Sequence, residues 1–207
     1  MITEAKLDIA IPRRRGSGHH HAMLAITHEM SNKVRDSALD MKVYCASFES
    51  PVGVIYVAST DRGVCKIALP RHGRTTFFEW IGKHFSEDAI VEDKKKNSEV
   101  IKQLNEYFVG KRTKFDLSLD LIGTRFQIRV WNEVYRTPFG TVVSYKQIAK
   151  RLHTQGYRLI GATIGRNPVP IIIPCHRVIG SNNKLVGYVG GIRLKEYLLR
   201  LEGVILL

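Results

Sequence analysis

Alternation of apolar and polar positions begins at Lys42 and predicts a β-rich start to the folded chain. The stretch "KVYCASFESPVGVIYVAST" alternates, is rich in β-branched residues and is divided by a Ser-Pro-Val-Gly turn. This pattern predicts a β-hairpin. A further apolar stretch, "GVCKIAL", follows Asp61 and Arg62 and predicts a third strand. Together the three segments predict a small antiparallel sheet.

Two helical patterns follow the strands. They are "TTFFEWIGKHF" and "NSEVIKQLNEYFVG", and the charged run "EDKKKN" between them is predicted to lie in solvent. One face of the second helix carries the apolar residues Val100, Ile101, Leu104, Tyr107 and Phe108, and Gly110 ends the helix. Residues 42–120 are therefore predicted to form an α/β domain, a small antiparallel sheet with helices. No catalytic set of residues is evident in that domain.

The pattern from residue 121 onward predicts a mainly α domain over 121–207. The stretch "TRFQIRVWNEVY" has helical periodicity, with Thr124 as its N-cap. The stretch "SYKQIAKRLHTQGYRLIGATIGRN" predicts two helices, the first capped by Ser144, with Gly156 in the turn between them. This arrangement is a helix-turn-helix pattern. A last amphipathic helix is predicted in "GGIRLKEYLLRLEG".

Residues 1–41 differ from the rest of the chain and are predicted to be a disordered extension or a tag. They include the Gly/Ser/His-rich stretch "RRRGSGHHHAM", and three adjacent histidines on such a segment are only a weak metal-binding signal. The chain has no apolar stretch of membrane-spanning length and no apolar signal core near Met1. We therefore expect a soluble intracellular protein, in the cytoplasm (nucleoid) of a prokaryote or the nucleus of a eukaryote.

Positive charge is concentrated in the C-terminal part of the chain. The 207 residues carry a formal net charge of +13. Residues 42–123 hold thirteen Lys/Arg and eleven Asp/Glu, whereas residues 124–207 hold thirteen Lys/Arg and three Asp/Glu. Concentrated positive charge attracts polyanions through counterion release. A nucleic-acid partner is favoured over a charged surface that serves only solubility.

The chain has three cysteines, Cys45, Cys65 and Cys175. This odd, sparse number without a CxxC spacing argues against a disulfide framework and against a cysteine-rich zinc site. Cys45 and Cys65 are interpreted as small buried apolar residues.

Cys175 differs from the other two because His176 and Arg177 follow it directly, after the apolar run "NPVPIIIP". Cations and imidazoles favour the reactive thiolate form of a cysteine. Neighbours on an extended segment point to opposite sides, so His176 would act through a water or a turn. From these residues alone, a structural cysteine at a strand end is an equal alternative.

The residues around Cys175 resemble those of a known family. "PCHRV" at residues 174–178 follows "NPVPIII" and precedes "GYVGGIRLKEYLLRLEG", with "TPFGTVVSYKQIA" upstream. These stretches resemble the O6-alkylguanine-DNA alkyltransferases, also called methylated-DNA–protein-cysteine methyltransferases. The resemblance runs from about residue 42 to 205 and is strongest in the second half.

The resemblance implies a DNA-repair function. The family flips O6-alkylguanine out of double-stranded DNA and transfers the alkyl group irreversibly to its own cysteine. The reaction has a single turnover and needs no cofactor. We expect a monomer that acts on O6-alkylguanine in duplex DNA, with O4-alkylthymine as a further candidate substrate.

The resemblance also implies roles for particular residues. Cys175 would accept the alkyl group, His176 would act as its base through a water, and Glu202 would orient His176. Tyr145 would donate toward a guanine ring nitrogen, and Lys195 would help the leaving guanine take up charge. Asn167 would brace the turn that presents the cysteine.

Further candidates contact DNA or form the pocket. Arg158 would fill the space left by the extruded base, a task suited to its planar cation. The DNA-binding candidates are Arg158, Tyr145, Tyr157, Arg166 and Arg177. The candidates for the substrate pocket are Pro170, Tyr188, Val189 and Trp131.

The sequence departs from the family pattern at several positions. The family usually has small residues beside the arginine of the recognition helix, but Tyr157 and Leu159 are bulky. Val189 stands where the family often has a serine that helps to hold the base oxygen. Some members carry zinc in the N-terminal domain, bound by Cys and His ligands. The matching strands here offer Cys65 but no convincing set of ligands, so no metal is predicted.

Two other functions remain as alternatives. One is a non-enzymatic protein of the alkyltransferase-like type that recognises lesions and recruits other repair proteins; the presence of Cys175 counts against it. The other is a cysteine hydrolase with a Cys–His–Glu triad, in which the basic helix-turn-helix has no evident role.

Overall fold

The computed structural model describes residues 41–181 and 184–204. The predicted extension, including the histidines at 19–21, lies outside the described residues except for Met41. Residues 41–123 are called the N-terminal half and residues 124–204 the C-terminal half.

A four-stranded sheet forms the centre of the N-terminal half. Its strands are β1 (Val43–Ser50), β2 (Gly53–Thr60), β3 (Gly63–Ala68) and β4 (Ile90–Glu92), in the order β3-β2-β1-β4. The first three strands are antiparallel neighbours, as predicted. Strand β4 pairs parallel to β1 and was not predicted. It has only three residues, too few for a periodic pattern.

The turn between β1 and β2 is fixed by local hydrogen bonds. The Ser50 hydroxyl donates to the carbonyl oxygen of Gly53 at 2.6 Å and accepts from the amide of Val52 at 3.3 Å. Gly53 has a φ of +105°, which side chains rarely tolerate. These contacts set the register that pairs Ser50 with Gly53.

Two helices lie on the sheet. Helix α1 (Gly73–His84) buries Phe77 and Ile81 in one core cluster with residues such as Cys45 and Cys65. Helix α2 (Ser98–Phe108) packs in the other cluster. Because strand side chains alternate between faces, both faces of this sheet are covered.

The charged run before α2 ends in a buried residue. The side chain of Asn97 is fully buried, accepts from the Ser59 hydroxyl at 3.0 Å and donates to the carbonyl oxygens of Tyr44 and Asp93. The prediction that the whole run "EDKKKN" lies in solvent was therefore wrong at Asn97.

Four helices and a short strand pair form the C-terminal half. They are α3 (Arg125–Tyr135), β5 (Val143–Ser144), α4 (Tyr145–Arg151), α5 (Tyr157–Gly165), β6 (Val178–Ile179) and α6 (Ile192–Leu201). Helices α4 and α5 are the predicted helix-turn-helix pair. The fold class, an α/β first half and a mainly α second half, is confirmed.

Hydrogen bonds fix where two of these helices begin. Thr124 caps α3 and Ser144 caps α4, each accepting from the backbone N–H three residues on. In both cases a glutamine, Gln127 or Gln147, closes a capping box. The predicted caps are confirmed, and they set the position of Tyr145 as the first residue of α4.

The larger core cluster takes residues from both halves of the described chain. It joins apolar side chains of β1–β3 and α2 to those of α3–α6 and of the segment Val169–Ile173. A backbone bond from Ile67 N to Pro168 O, 2.8 Å long, links β3 to the start of that segment. The boundary predicted near residue 120 stays a prediction. No helix among the described residues is long and apolar enough to cross a bilayer.

Candidate active site

A buried bend delivers Cys175 to its place. Residues Val169–Ile173 lie in the core, and Ile171 has a φ of +77° although it is β-branched. That region of φ is unfavourable for such a residue, so the surrounding packing must hold it. The chain then enters a single 3₁₀ turn, Cys175–Arg177. The apolar run therefore serves as a rigid support for the cysteine.

Asn167 links this bend to the sulfur. Its Nδ2 donates to the carbonyl oxygen of Ile173 at 2.8 Å and lies 3.0 Å from the Sγ of Cys175. Its Oδ1 accepts from the amide of Val169 at 3.0 Å. Every polar atom of the buried amide therefore has a partner, and the sulfur position is fixed relative to the bend.

The resting sulfur is a thiol. Burial raises the pKa of Cys175 to about 11, with the Asn167 hydrogen bond and the Lys195 charge acting in the opposite direction. At neutral pH, ionisation therefore requires a group that takes the proton.

His176 and Glu202 form a buried pair behind the cysteine. The Nε2 of His176 lies 2.7 Å from Oε1 of Glu202. Burial lowers the pKa of His176, and Glu202 opposes this shift, so the imidazole is neutral at pH 7. Its Nδ1 is buried and has no hydrogen-bond partner among the described residues. Since Nε2 donates to the carboxylate, Nδ1 is the acceptor of the ring.

Glu202 is held as an anion. Burial raises the pKa of its carboxyl group, but hydrogen bonds from His176 and Arg177 more than offset this and lower it to about 2. Arg177 donates to both carboxylate oxygens, from Nε at 2.8 Å and from Nη2 at 3.0 Å. A paired and multiply hydrogen-bonded carboxylate is the form of buried charge that proteins tolerate.

Arg177 is not available to DNA. It is only 6% exposed. Its Nη1 donates to the carbonyl oxygen of Thr137 at 2.6 Å, and its guanidinium lies over the ring of Phe139. The prediction that Arg177 binds DNA was therefore wrong: the guanidinium neutralises Glu202 inside the protein.

A residue of the N-terminal half reaches the same carboxylate. The hydroxyl of Tyr107, from α2, donates to Oε1 of Glu202 at 2.7 Å. The sequence pattern predicts only that Tyr107 lies on the apolar face of α2. Nothing in its local pattern distinguishes it from its apolar neighbours, so the sequence offered no signal for this contact.

Cys175 lines a cavity of about 410 Å³. Tyr145, Tyr188 and Val189 line the same cavity. The assignment of Tyr188 and Val189 to the substrate pocket stays a prediction. Two residues of the N-terminal half that the sequence did not suggest, Arg71 and His72, also line it.

The other two predicted pocket residues lie elsewhere. Pro170 and Trp131 line a neighbouring cavity of about 360 Å³ and not the one that contains Cys175. Trp131 is a core residue whose Nε1 donates to the carbonyl oxygen of Thr163 at 2.9 Å. The cavity of Pro170 and Trp131 shares His72, Gly165 and Val189 with the cavity that contains Cys175, so the assignment of these two residues to the substrate pocket stays a prediction.

Lys195 is enclosed by backbone. Its Nζ donates to the carbonyl oxygens of Val178 and Val186, the second at 2.8 Å, and the side chain is fully buried. It does not line the cavity of Cys175, although its charge lowers the pKa of that thiol. Burial lowers the pKa of Lys195 itself to about 8.

The helix-turn-helix presents the remaining candidates on the surface. Arg158 and Arg166 are exposed, and Tyr157 is 47% exposed. A groove of about 560 Å³ is lined by Tyr145, Tyr157 and Arg158. Because Tyr145 also lines the cavity of Cys175, this one side chain borders both the surface groove and the acceptor cavity.

Potential metal ligands do not cluster in the part of the chain that the structure describes. No group of three or more His, Cys, Asp or Glu side chains there is arranged to hold an ion.

Fold and site together define a class: a helix-turn-helix protein with a cysteine–histidine–carboxylate site beside its DNA-binding element. Two family models match the chain, the 6-O-methylguanine DNA methyltransferase ribonuclease-like domain over residues 43–121 and the DNA binding domain of the same enzyme over residues 125–204. A methylated-DNA–protein-cysteine methyltransferase of Methanosarcina acetivorans is 40% identical over 162 residues, 78% of this chain and 99% of the relative. The chain therefore belongs to the methylated-DNA–protein-cysteine methyltransferase family.

Other similar proteins agree with this family. The inducible methylated-DNA–protein-cysteine methyltransferase of Bacillus subtilis is 40% identical, over 71% of this chain and 83% of the relative. The crystal structure of the Mycobacterium tuberculosis O6-methylguanine methyltransferase superposes with a TM-score of 0.67 at 38% identity, covering 77% of this chain and 92% of that one. A structure of the same organism's protein in complex with DNA gives a TM-score of 0.66 at 36% identity, with the same coverage.

Proposed function

We propose that this protein repairs DNA by transferring a methyl or other alkyl group from O6-alkylguanine, and as a further candidate O4-alkylthymine, to the sulfur of Cys175. The observation that carries the proposal is the position of that sulfur. It lines a cavity that Tyr145 connects to the groove of the helix-turn-helix. An extruded base could enter from bound DNA without leaving the protein surface.

The proposed transfer is a displacement at the alkyl carbon. His176 takes the thiol proton through a water at Nδ1, and Glu202 stabilises the imidazolium that results. The thiolate then forms a sulfur–carbon bond as the carbon–O6 bond breaks. The thioether that forms is stable, so each molecule reacts once, and the protein needs no cofactor.

The departing guanine must take up negative charge and a proton. Burial raises the pKa of the Tyr145 hydroxyl, so it stays protonated and can donate to a ring nitrogen of the base. The Lys195 ammonium supports this step only through its field, because backbone carbonyls enclose it. Asn167 keeps the sulfur in line with the carbon, and such positioning contributes much of the barrier reduction.

DNA binding is assigned to the exposed face of α4 and α5. Arg158 fills the space of the extruded base, and Arg166 and Tyr157 contact the backbone beside it. Because its substrate would be chromosomal DNA, we expect the protein in the cytoplasm (nucleoid) of a prokaryote or the nucleus of a eukaryote. We propose a monomer as the active form.

The intact mass of the protein tests this function. After incubation with a duplex that carries one O6-methylguanine, the wild-type protein should gain one methyl group per molecule and then stop. Cys175→Ala should gain none, whereas Cys65→Ala, a matched change at another buried cysteine, should react normally. A gain that persists in Cys175→Ala, or repeated turnover, would overturn the proposal.

A further inference from the structure

The carboxylate of Glu202 has more donors than the pair with His176 requires. Oε1 accepts from three residues: Tyr107 at 2.7 Å, His176 at 2.7 Å and Arg177 at 3.0 Å. Oε2 accepts from Arg177 and, at 3.3 Å, from the amide of Gly140. The hydroxyl of Tyr107 and Nε2 of His176 therefore compete for the same oxygen, and they lie 3.5 Å apart.

Tyr107 lies in the N-terminal half, whereas the other donors to Glu202 lie in the C-terminal half. It is a residue of α2, 1% exposed, and its ring packs against Phe108, Phe115 and Phe139. Aromatic packing on several sides leaves the ring little freedom, so the hydroxyl has a fixed direction. An apolar phenylalanine would fill the same space. The hydroxyl therefore has a use that packing does not explain.

We propose that Tyr107 is a positioning residue for alkyl transfer, through which the N-terminal half fixes the Glu202 oxygen that orients His176. This inference rests on the function proposed above and deepens it. Tyr107 touches neither the base nor the sulfur; it acts through the carboxylate.

The Tyr107 hydroxyl should affect the pKa of His176 in one direction. A donor on Oε1 draws negative charge away from the bond to His176. Without the hydroxyl, the carboxylate would stabilise the imidazolium more strongly, and the pKa of His176 would rise. The hydroxyl cannot supply a negative charge itself, because burial and Glu202 raise its pKa far above the neutral range. The other titratable or charged groups around the pair are Cys175, Arg177, Tyr188, Lys195 and Tyr197.

Tyr107→Phe tests the inference in the full-length protein. Single-turnover transfer from an O6-methylguanine duplex is measured against pH for wild type and variant. The acid limb of the variant should move to higher pH by about half a unit or more. Tyr56→Phe is the matched control, since Tyr56 packs against Phe77 in the other core cluster and its loss should not move the limb. If the acid limb of Tyr107→Phe coincides with that of the wild type, the inference is overturned. A hydroxyl that served only to stabilise the fold would change the free energy of unfolding but not the pH–rate profile.

Further measurements distinguish a failure of the inference about Tyr107 from a failure of the proposed function. Glu202→Gln removes the charged acceptor, so adding Tyr107→Phe to that variant should not move the acid limb of the pH–rate profile any further. If the limb moves as far as it does in the wild-type background, the inference is contradicted. If Tyr107→Phe does not fold, a low-field hydroxyl proton of Tyr107 in the wild-type NMR spectrum, lost in Glu202→Gln, supports the contact, and its absence opposes it. Failure of the wild type to accept a methyl group would instead reject the proposed function.

Discussion

Glu202 determines how the protein responds to acid. Its carboxyl pKa is lowered to about 2 by partners that exist only in the folded state. The unfolded chain therefore binds a proton at higher pH than the folded protein does. Since folding then releases a proton, stability is present above the ordinary value of 4.5 and is lost as the pH falls toward 2. The neutral His176 adds to the loss below 6.5, because burial lowers its pKa as well.

We expect the free energy of unfolding to fall as the pH falls, most steeply between about 4.5 and 2. The part due to Glu202 should amount to roughly 3 kcal/mol, since each pKa unit between the folded and unfolded states corresponds to about 1.4 kcal/mol. Urea unfolding across this range measures it. Glu79→Gln, at an exposed position on α1, should leave the profile unchanged. A flat profile in the wild type would show that the buried pair does not control acid stability.

Asn167 gives a second prediction at the residue scale. Asn167→Ala leaves the amide of Val169 and the carbonyl of Ile173 without that partner, which costs about 2 kcal/mol of stability. It also frees the sulfur, so the transfer rate per folded molecule should fall at least about tenfold. Thermal unfolding and single-turnover rates measure the two effects.

Asn97→Ala is the matched control for that prediction. Asn97 is equally buried and also makes three hydrogen bonds, but it lies beside β1 and α2. Its loss should lower stability by a similar amount and leave the rate nearly unchanged. Equal rate losses in the two variants would mean that Asn167 acts only through folding.

At the scale of elements, the helix-turn-helix places one hydrophobic face inward and one cationic face outward. Ile148 and Ile160 are fully buried, whereas Tyr157 and Leu159 are 47% and 55% exposed. Tyr157 and Leu159 therefore flank Arg158 on the exposed side of α5. The capping box at Ser144 fixes where α4 starts, whereas α5 begins after Gly156 without a side-chain cap.

Arg158→Ala should slow alkyl transfer from duplex DNA much more than alkyl transfer from a free base. Transfer from duplex O6-methylguanine should slow more than about tenfold, because extrusion of the base costs a few kcal/mol that the side chain offsets. Reaction with free O6-benzylguanine needs no extrusion and should change less than about threefold. Arg129→Ala, an exposed arginine on α3, is the control and should affect neither. Equal losses on both substrates would contradict the base-replacement role.

Across the whole molecule, charge is divided between the halves. Nearly all of the excess positive charge lies in residues 124–207, and the structure exposes Lys146, Lys150, Arg158 and Arg166 there. The N-terminal half instead contributes buried contacts, among them the Tyr107 hydroxyl and the bond from Ile67 to Pro168. The exposed positive charge thus lies mainly in the C-terminal half, whereas the N-terminal half adds a hydrogen-bond donor to the buried Glu202.

DNA affinity should therefore depend on salt. The logarithm of the binding constant should fall linearly with the logarithm of salt concentration, with about 0.9 counterion released per phosphate contact. Replacing Lys146 and Arg166 together by glutamine should reduce the slope by about 1.8. Replacing the exposed Lys94 and Lys95 of the N-terminal half should not. Fluorescence anisotropy at several salt concentrations measures the slopes, and a salt-independent affinity would refute this assignment.

The sequence by itself determined the elements and the chemical centre. Strands β1–β3 and helices α1–α6 have periodic patterns of sufficient length, and the caps of α3 and α4 and the turn between β1 and β2 use local hydrogen bonds. The short strand β4 has no such signal because its partner is distant in sequence. The residues Cys175 and His176 were suggested because their chemistry is unusual for the end of an apolar run.

Only the tertiary structure decided which side chains meet. Arg177 turns inward because Glu202, 25 residues away, needs a buried counter-charge. Tyr107, which donates to that carboxylate, is 95 residues away from it in sequence. The side chains of Lys195 and Trp131 donate to backbone carbonyl oxygens that the fold brings close to them. Propensity and periodicity act over a few residues, whereas a buried polar group is satisfied by whatever donor or acceptor the fold brings within about 3 Å.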